Sequence, residues 1–256
     1  MNCYDLTKMT WKEVEKSLET VEFAIIPVGA HEQHGPHMAE SCDAVLAERM
    51  AIKLGQRMFP YAIVTPCVNM GVSEHHIHFP GTITLQPSTL IAVLTDMVSS
   101  LKQHDIKKFL FLNSHGGNQS ALNLAAMTIT KELEVEVYYA KTTASAKESI
   151  GKYVKSPLFG HSCEREVSEA LYLAPELVRE DLLEKGEIKQ GGRWERLRPG
   201  KAVQGFYFYE EMTGNGCIGD GRKGSREIGE QIVEEALDHL AEELSELLDL
   251  KEELLY

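Results

Sequence analysis

No apolar stretch in this 256-residue chain approaches the roughly 20 residues that a membrane-spanning helix needs, so a helical span is not expected. Positive charge is scarce: 26 Lys and Arg face 39 Asp and Glu, and the net charge of −13 argues against a nucleic-acid partner, whose phosphates demand a basic surface. Part of the acidic excess sits in the last 30 residues and reads as one solvated helix. The cysteines (Cys3, Cys42, Cys67, Cys163 and Cys217) are odd in number and scattered, with no CxxC pair. That removes a disulfide framework and makes a reducing cytoplasm the simplest setting. The N-terminus lacks a signal-peptide pattern. Walker A and GxSxG patterns are absent, and Gly214–Gly219 fits GxGxxG only by its letters, late in the chain, where it reads as a loop.

What is present is an alternation of apolar runs and helical periodicity. Glu22–Gly29, Tyr61–Val68, Lys108–Asn113 and Val135–Ala140 read as strands. Helices are expected from Asp43, from Pro87, over Gln119–Leu133 and over Ser225–Leu248. Near-continuous apolar strands in β-α-β-α order imply an α/β fold with a mostly parallel central sheet and helices on both faces. Residues 142–160 and 185–224 read as long loops over a site. No linker divides residues 1–256, so a single domain is expected. Phe206-Tyr-Phe-Tyr209 could line a pocket, form an edge strand or serve a subunit contact.

Polar clusters follow the strands. Glu32, His34, His37 and Asp43 come after the first; Ser73-Glu-His-His-Ile-His78 after the second; Asn113-Ser-His115-Gly-Gly-Asn118 after the third; His161-Ser-Cys-Glu164-Arg-Glu166 opens a further helix. Eight of the ten histidines fall in these clusters, counting His31. In α/β sheets ligands bind beyond the carboxyl ends of strands. Mixed carboxylate and imidazole donors suit Zn²⁺, Mn²⁺ or Fe²⁺. Two such ions sharing one carboxylate need about five to seven protein ligands. Glu32, His34, Asp43, His115 and one of Glu164 or Glu166 reach the lower bound. A single histidine or carboxylate here could equally be a structural hydrogen-bonding group. Cys42 and Cys163, beside suspected ligands, read as small buried thiols. Gly116 and Gly117 would let a helix start tightly after a strand, or let backbone N–H groups approach an oxyanion.

These ordered motifs, together with Phe79-Pro-Gly-Thr82 and Gly219-Asp220, resemble the creatininase family of metal-dependent amidohydrolases over most of the chain. The resemblance implies a three-layer αβα sandwich, a two-metal centre of Zn, Mn or Fe, and often a hexameric homo-oligomer. It implies Glu32, His34, Asp43 and His115 as ligands with Asp43 bridging, and His161 in proton transfer. Ser73, His76, Gly116 and Gly117 are the substrate-binding candidates. Creatinine-hydrolysing members carry a glutamate ligand where this chain has Gly117, so the fifth ligand must come from elsewhere. Glu166 is preferred over Glu164, as ligand and as second catalytic group. Those members also flank the flat substrate with tryptophans near the fourth motif. Only Trp11 and Trp194 exist here, and neither closely precedes His161.

The expected function is therefore hydrolysis of a C–N bond in a small cyclic amide or formamide by a metal-bridging hydroxide, with a small molecule as the only partner besides its own copies. Two alternatives stand beside it: hydrolytic C–C opening of an oxidised inositol-type ketone, and a metal- or ligand-binding module without turnover.

Overall fold

The computed structural model describes residues 2–250. Five parallel strands, β1 (Tyr4–Asp5), β2 (Phe23–Val28), β3 (Ala62–Val64), β4 (Lys108–Asn113) and β5 (Glu136–Lys141), form one sheet in the order β1-β3-β2-β4-β5. Helices cover both faces: α1 (Trp11–Ser17), α2 (Cys42–Arg57), α3 (Pro87–Lys102), α4 (Gln119–Leu133), α5 (Lys147–Tyr153), α6 (Glu164–Leu173), the single turns α7 (Trp194–Leu197) and α8 (Tyr209–Met212), and α9 (Arg226–Leu247). This is the α/β sandwich that the strand pattern predicts.

The two faces follow from the period-two alternation of a strand. Phe23 and Ile25 of β2, with Leu110 and Leu112 of β4, pack against Met50 and Leu54 of α2 and Ile232, Leu237 and Leu244 of α9. Ala24, Ile26, Val28, Phe109 and Phe111 point the other way, onto Leu90 and Leu94 of α3 and Leu122 and Ile129 of α4. Because both faces are covered, the strands carry no polar alternation. Each fully buried Leu or Ile contributes roughly 2 kcal/mol. No helix among the described residues is long and apolar enough to cross a membrane.

Several boundaries differ from the sequence expectation. β3 stops at Val64, because Pro66 has no N–H to continue a ladder; beyond it only Val68 pairs, singly, with Val28. The segments expected as loops contain α5, α7 and α8. α5 exists because α9 supports it: the Glu235 carboxylate accepts the free N–H groups of Glu148 and Ser149. α9 begins where predicted, with the Ser225 hydroxyl accepting from Ile228 N–H at 3.3 Å.

The strand order places the site. After β2 the chain crosses to β3 on one side; after β4 it crosses to β5 on the other. Adjacent parallel strands whose connections leave in opposite directions open a crevice at their carboxyl ends. β2 and β4 run in register there, Val28 beside Asn113. Gly29 then lets α2 approach: a Cβ at Gly29 would lie 2.4 Å from Ala44 Cα. The first turn of α2, which carries Asp43, is thereby laid against the end of β2.

Candidate metal centre

Glu32, His34, Asp43, His115, His161 and Glu166, six residues singled out by the sequence motifs, are brought together in this crevice, all buried. Asp43 spans two imidazoles, with Oδ1 3.6 Å from His34 Nε2 and Oδ2 3.1 Å from His115 Nδ1. Glu32 is fully enclosed; its Oε2 lies 3.3 Å from His115 Nε2 and its Oε1 3.3 Å from His76 Nε2 and 3.7 Å from His161 Nδ1. Donor atoms of Glu32, His34 and Asp43 fall within 4.8 Å of one another, as do those of His34, His161 and Glu166, and those of Glu32, His75 and His115. A cavity of about 120 Å³ opens among these groups, with His75, His76, Gly116, Gly117, Gly160 and Tyr209 also in its walls.

The rings are aimed from outside. His34 Nδ1 lies 3.0 Å from the Glu32 carbonyl and His115 Nε2 3.0 Å from the Val72 carbonyl. Each of these nitrogens donates, leaving His34 Nε2 and His115 Nδ1 facing Asp43 as lone-pair donors. The Gln33 amide donates to His76 Nδ1 at 2.8 Å, so His76 Nε2 carries the proton, although it makes no hydrogen bond to the Glu32 oxygen 3.3 Å away. His161 Nε2 donates to the Gln33 carbonyl at 2.6 Å, which turns Nδ1 inward.

Two asparagines fasten the turns. Asn118 donates to the Gly29 carbonyl and to Asn113 Oδ1, and accepts from Val72 N–H at 2.8 Å. Asn113 donates to the His115 carbonyl and accepts from its N–H. The segments after β2, β3 and β4 are thus tied by one side chain. That is the physical content of Asn113-Ser-His-Gly-Gly-Asn118.

Charge in the cluster is poorly compensated by protein alone. Burial and the Asp43 charge push Glu32 up to about 7. Burial also works against Asp43, but His34 and His115 outweigh it and hold that carboxyl well below the usual range. His34 is raised despite its burial, by Cys42 and Asp43, and His115 reaches about 9 against its burial, through Glu32 and Asp43. Burial and the neighbouring imidazoles keep His76 and His161 neutral. Both Glu32 oxygens, His34 Nε2 and Asp43 Oδ2 are buried without a hydrogen-bond partner among the described residues. Such groups cost about 1–3 kcal/mol each, more when charged. Their convergence is what a hard-to-borderline divalent cation would satisfy, so the donor set fits a metal.

The structure separates the two glutamates of α6. Glu164 accepts from the Ser156 and Asp220 backbone N–H groups, both at 2.9 Å, and ties two loops to the helix start. Glu166 lines the cavity, with Oε2 accepting from Ser162 N–H and Oε1 from Arg165. Of the substrate-binding candidates, His76, Gly116 and Gly117 are in the wall, whereas Ser73 is fully buried and not part of it. His37 donates to the Ser162 carbonyl and His78 pairs with Glu210, both apart from the cluster. Cys42 and Cys163 are fully buried thiols pushed up to about 11 by burial.

Four wall residues, His75, Ser114, Gly160 and Tyr209, were not among the site candidates, and two of them shape the cavity with their rings. His75 occupies the space a side chain at Gly117 would need: a Cβ there would lie 2.8 Å from His75 Cε1 and 2.2 Å from the Val72 carbonyl. Tyr209 packs its ring 3.9 Å from that of His76 and edge-on to His161 at 5.1 Å. The aromatic run Phe206–Tyr209 was the only sequence signal for it.

A parallel sheet with a carboxylate–imidazole cluster at its switch point defines a metal-site α/β protein. Residues 7–244 match the Creatininase family (creatinine amidohydrolase), and the chain belongs to that family. It is 26% identical over 274 residues to the 3-dehydro-scyllo-inosose hydrolase of Thermotoga maritima, covering 94% of this chain and 82% of the relative. It is 26% identical over 228 residues to the mycofactocin precursor peptide peptidase of Mycolicibacterium smegmatis, covering 88% and 85%. A mutant creatininase superposes with a TM-score of 0.83 at 25% identity, covering 96% of this chain and 99% of that one.

Proposed function

We infer that the protein is a metal-dependent hydrolase acting on a C–N bond in a small cyclic amide or formamide. The observation that carries this reading is the Asp43 carboxylate, with one oxygen on His34 and the other on His115. Glu32 and His115 would hold one divalent cation and His34 and Glu166 a second, with Asp43 between them. Bound there, the cations would polarise a carbonyl oxygen and bring the ionisation of a water into the neutral range.

The remaining work falls to the chain's own groups. His161 is neutral, and with Nε2–H fixed on the Gln33 carbonyl its Nδ1 can accept a proton inside the cluster. It can then return that proton to the leaving nitrogen. The His76 and Tyr209 rings form a wall against which a flat amide can lie, a task given to tryptophans in creatinine-hydrolysing members. Gly116 stays open towards the cavity: a Cβ added there would have no atom within 4 Å, which leaves room for substrate beside the backbone.

Hydrolytic C–C opening of a cyclic polyol ketone is the second reading. It is favoured by the inosose hydrolase relative, whose match spans 94% of this chain. Incubating metal-loaded protein with cyclic amides, formamides, short peptides and inosose-type ketones decides between them. Release of ammonia or an amine supports the first reading; a ring-opened acid without nitrogen release supports the second. Silence across the panel would favour a binding module.

A further inference from the structure

A second cavity, of about 940 Å³, lies across the 156–160 segment from the metal centre. We propose that it binds a multiply charged small anion, of the phosphoryl or pyrophosphoryl class. Four cationic side chains line it: Lys185 from one wall, and Arg196, Arg198 and Lys201 from α7 and the turn after it. None of the four pairs with a carboxylate within 4 Å among the described residues, whereas Lys53, Arg57 and Arg222 do so elsewhere. Glu195, the single acid in the lining, accepts the Gly191 N–H at 2.8 Å and pairs with none of the four cations.

In a chain of net charge −13, four unpaired cations around one hollow are an exception to the general composition. Clustered like charges repel, and a dianion relieves that repulsion while accepting charge-assisted hydrogen bonds from the guanidinium forks. The hollow is at the upper end of the size usual for small-ligand sites.

The cavity is also joined to the metal centre. Arg198 stands 5.9 Å from the Trp194 ring, and Trp194, buried, packs with Met212 and Ile218 in a cluster that includes Tyr209. Tyr209 is a wall of the metal cavity. An anion that orders Arg198 would therefore order the segment carrying Tyr209. The anion's source is either the distal end of the substrate or a separate effector; the chemistry at the cations is the same.

Trp194 supplies the readout. With Trp11→Phe removing the other, 70% exposed tryptophan, metal-free protein titrated with pyrophosphate at low salt is expected to show a saturable fluorescence change. The combined Arg196→Gln, Arg198→Gln and Lys201→Gln variant, altered only at partly or fully exposed positions, should bind more weakly by roughly tenfold per cation removed. Unchanged circular dichroism confirms that the variant is folded. No saturable change, or equal binding by the variant, overturns the proposal. With metal-loaded enzyme, glycerol phosphate competing with substrate marks the substrate's own anionic end, and altered turnover without competition marks an effector; glycerol serves as the neutral control.

Discussion

Asp43 Oδ1 faces His34 at 3.6 Å while Asp43 Oδ2 faces His115 at 3.1 Å. One carboxylate on the first turn of α2 thus joins a residue that follows β2 to one that follows β4. Replacing Asp43 with Asn keeps the shape but removes the negative charge and leaves one neutral oxygen donor in place of two. The expected result is loss of metal from both positions, measured by elemental analysis, and a fall in turnover on the order of 10³-fold. The melting temperature of metal-free protein should fall as well at neutral pH, since His34 and His115 lose the carboxylate they face.

Metal uptake should depend steeply on pH. Glu32 holds a proton below about 7, because of burial and Asp43, and His115 below about 9, because Glu32 and Asp43 outweigh its burial. A cation must displace these protons. Apparent affinity therefore falls as pH falls: His115 and the raised His34 compete for protons first, and the slope steepens below about 7, where Glu32 competes as well. Zinc titrations across pH 6 to 9, with proton release followed directly, check the sign and slope.

The glutamates of α6 should part company. Glu164→Gln weakens the hold on the Ser156 and Asp220 N–H groups and should lower thermal stability by about 1–2 kcal/mol while leaving metal content intact. Glu166→Gln should lower metal occupancy, and it carries a similar stability cost through its own bonds to Ser162 N–H and Arg165, so metal content is what separates the two variants. Calorimetry beside elemental analysis on both variants reads the contrast.

Adjacent glycines provide a similar pair. A Cβ at Gly116 meets open space, whereas one at Gly117 meets the Val72 carbonyl at 2.2 Å and His115 Nε2 at 2.4 Å. Gly116→Ala should fold and load metal normally. Gly117→Ala should displace His115 from Val72 and lose metal.

Asn118 makes three hydrogen bonds, two of them buried and one partly so, that join the turns after β2 and β3 to the end of β4. Asn118→Leu leaves their partners unsatisfied, so a loss of about 3 kcal/mol or more in unfolding free energy is expected. Denaturant melts of metal-free protein isolate this from any metal effect.

Much of this was legible in the sequence because the physics is local. β4 and α4 fall on the residues that periodicity predicts, since a strand buried on both faces and a helix with one apolar stripe leave distinct patterns. Glu32, His34, Asp43 and His115 stood out because polar clusters at the ends of apolar strands have few structural uses. The choice between Glu164 and Glu166 could not be made from spacing, because two positions along a helix turn the side chain by roughly 200°, and only the surrounding loops show which one faces the crevice. His75 and Tyr209 were hidden for another reason. His75 matters because Gly117 makes room for it, and Tyr209 because a long loop folds back over His76; both are contacts between segments far apart in the chain.

The most direct test is anomalous diffraction from crystals grown with Zn²⁺ or Mn²⁺, recorded above and below the metal edge. Two peaks are predicted, one on each side of the Asp43 carboxylate, the first within bonding distance of Glu32 and His115 and the second of His34 and Glu166. A single peak, or none between these side chains in metal-saturated protein, would contradict the paired-cation centre.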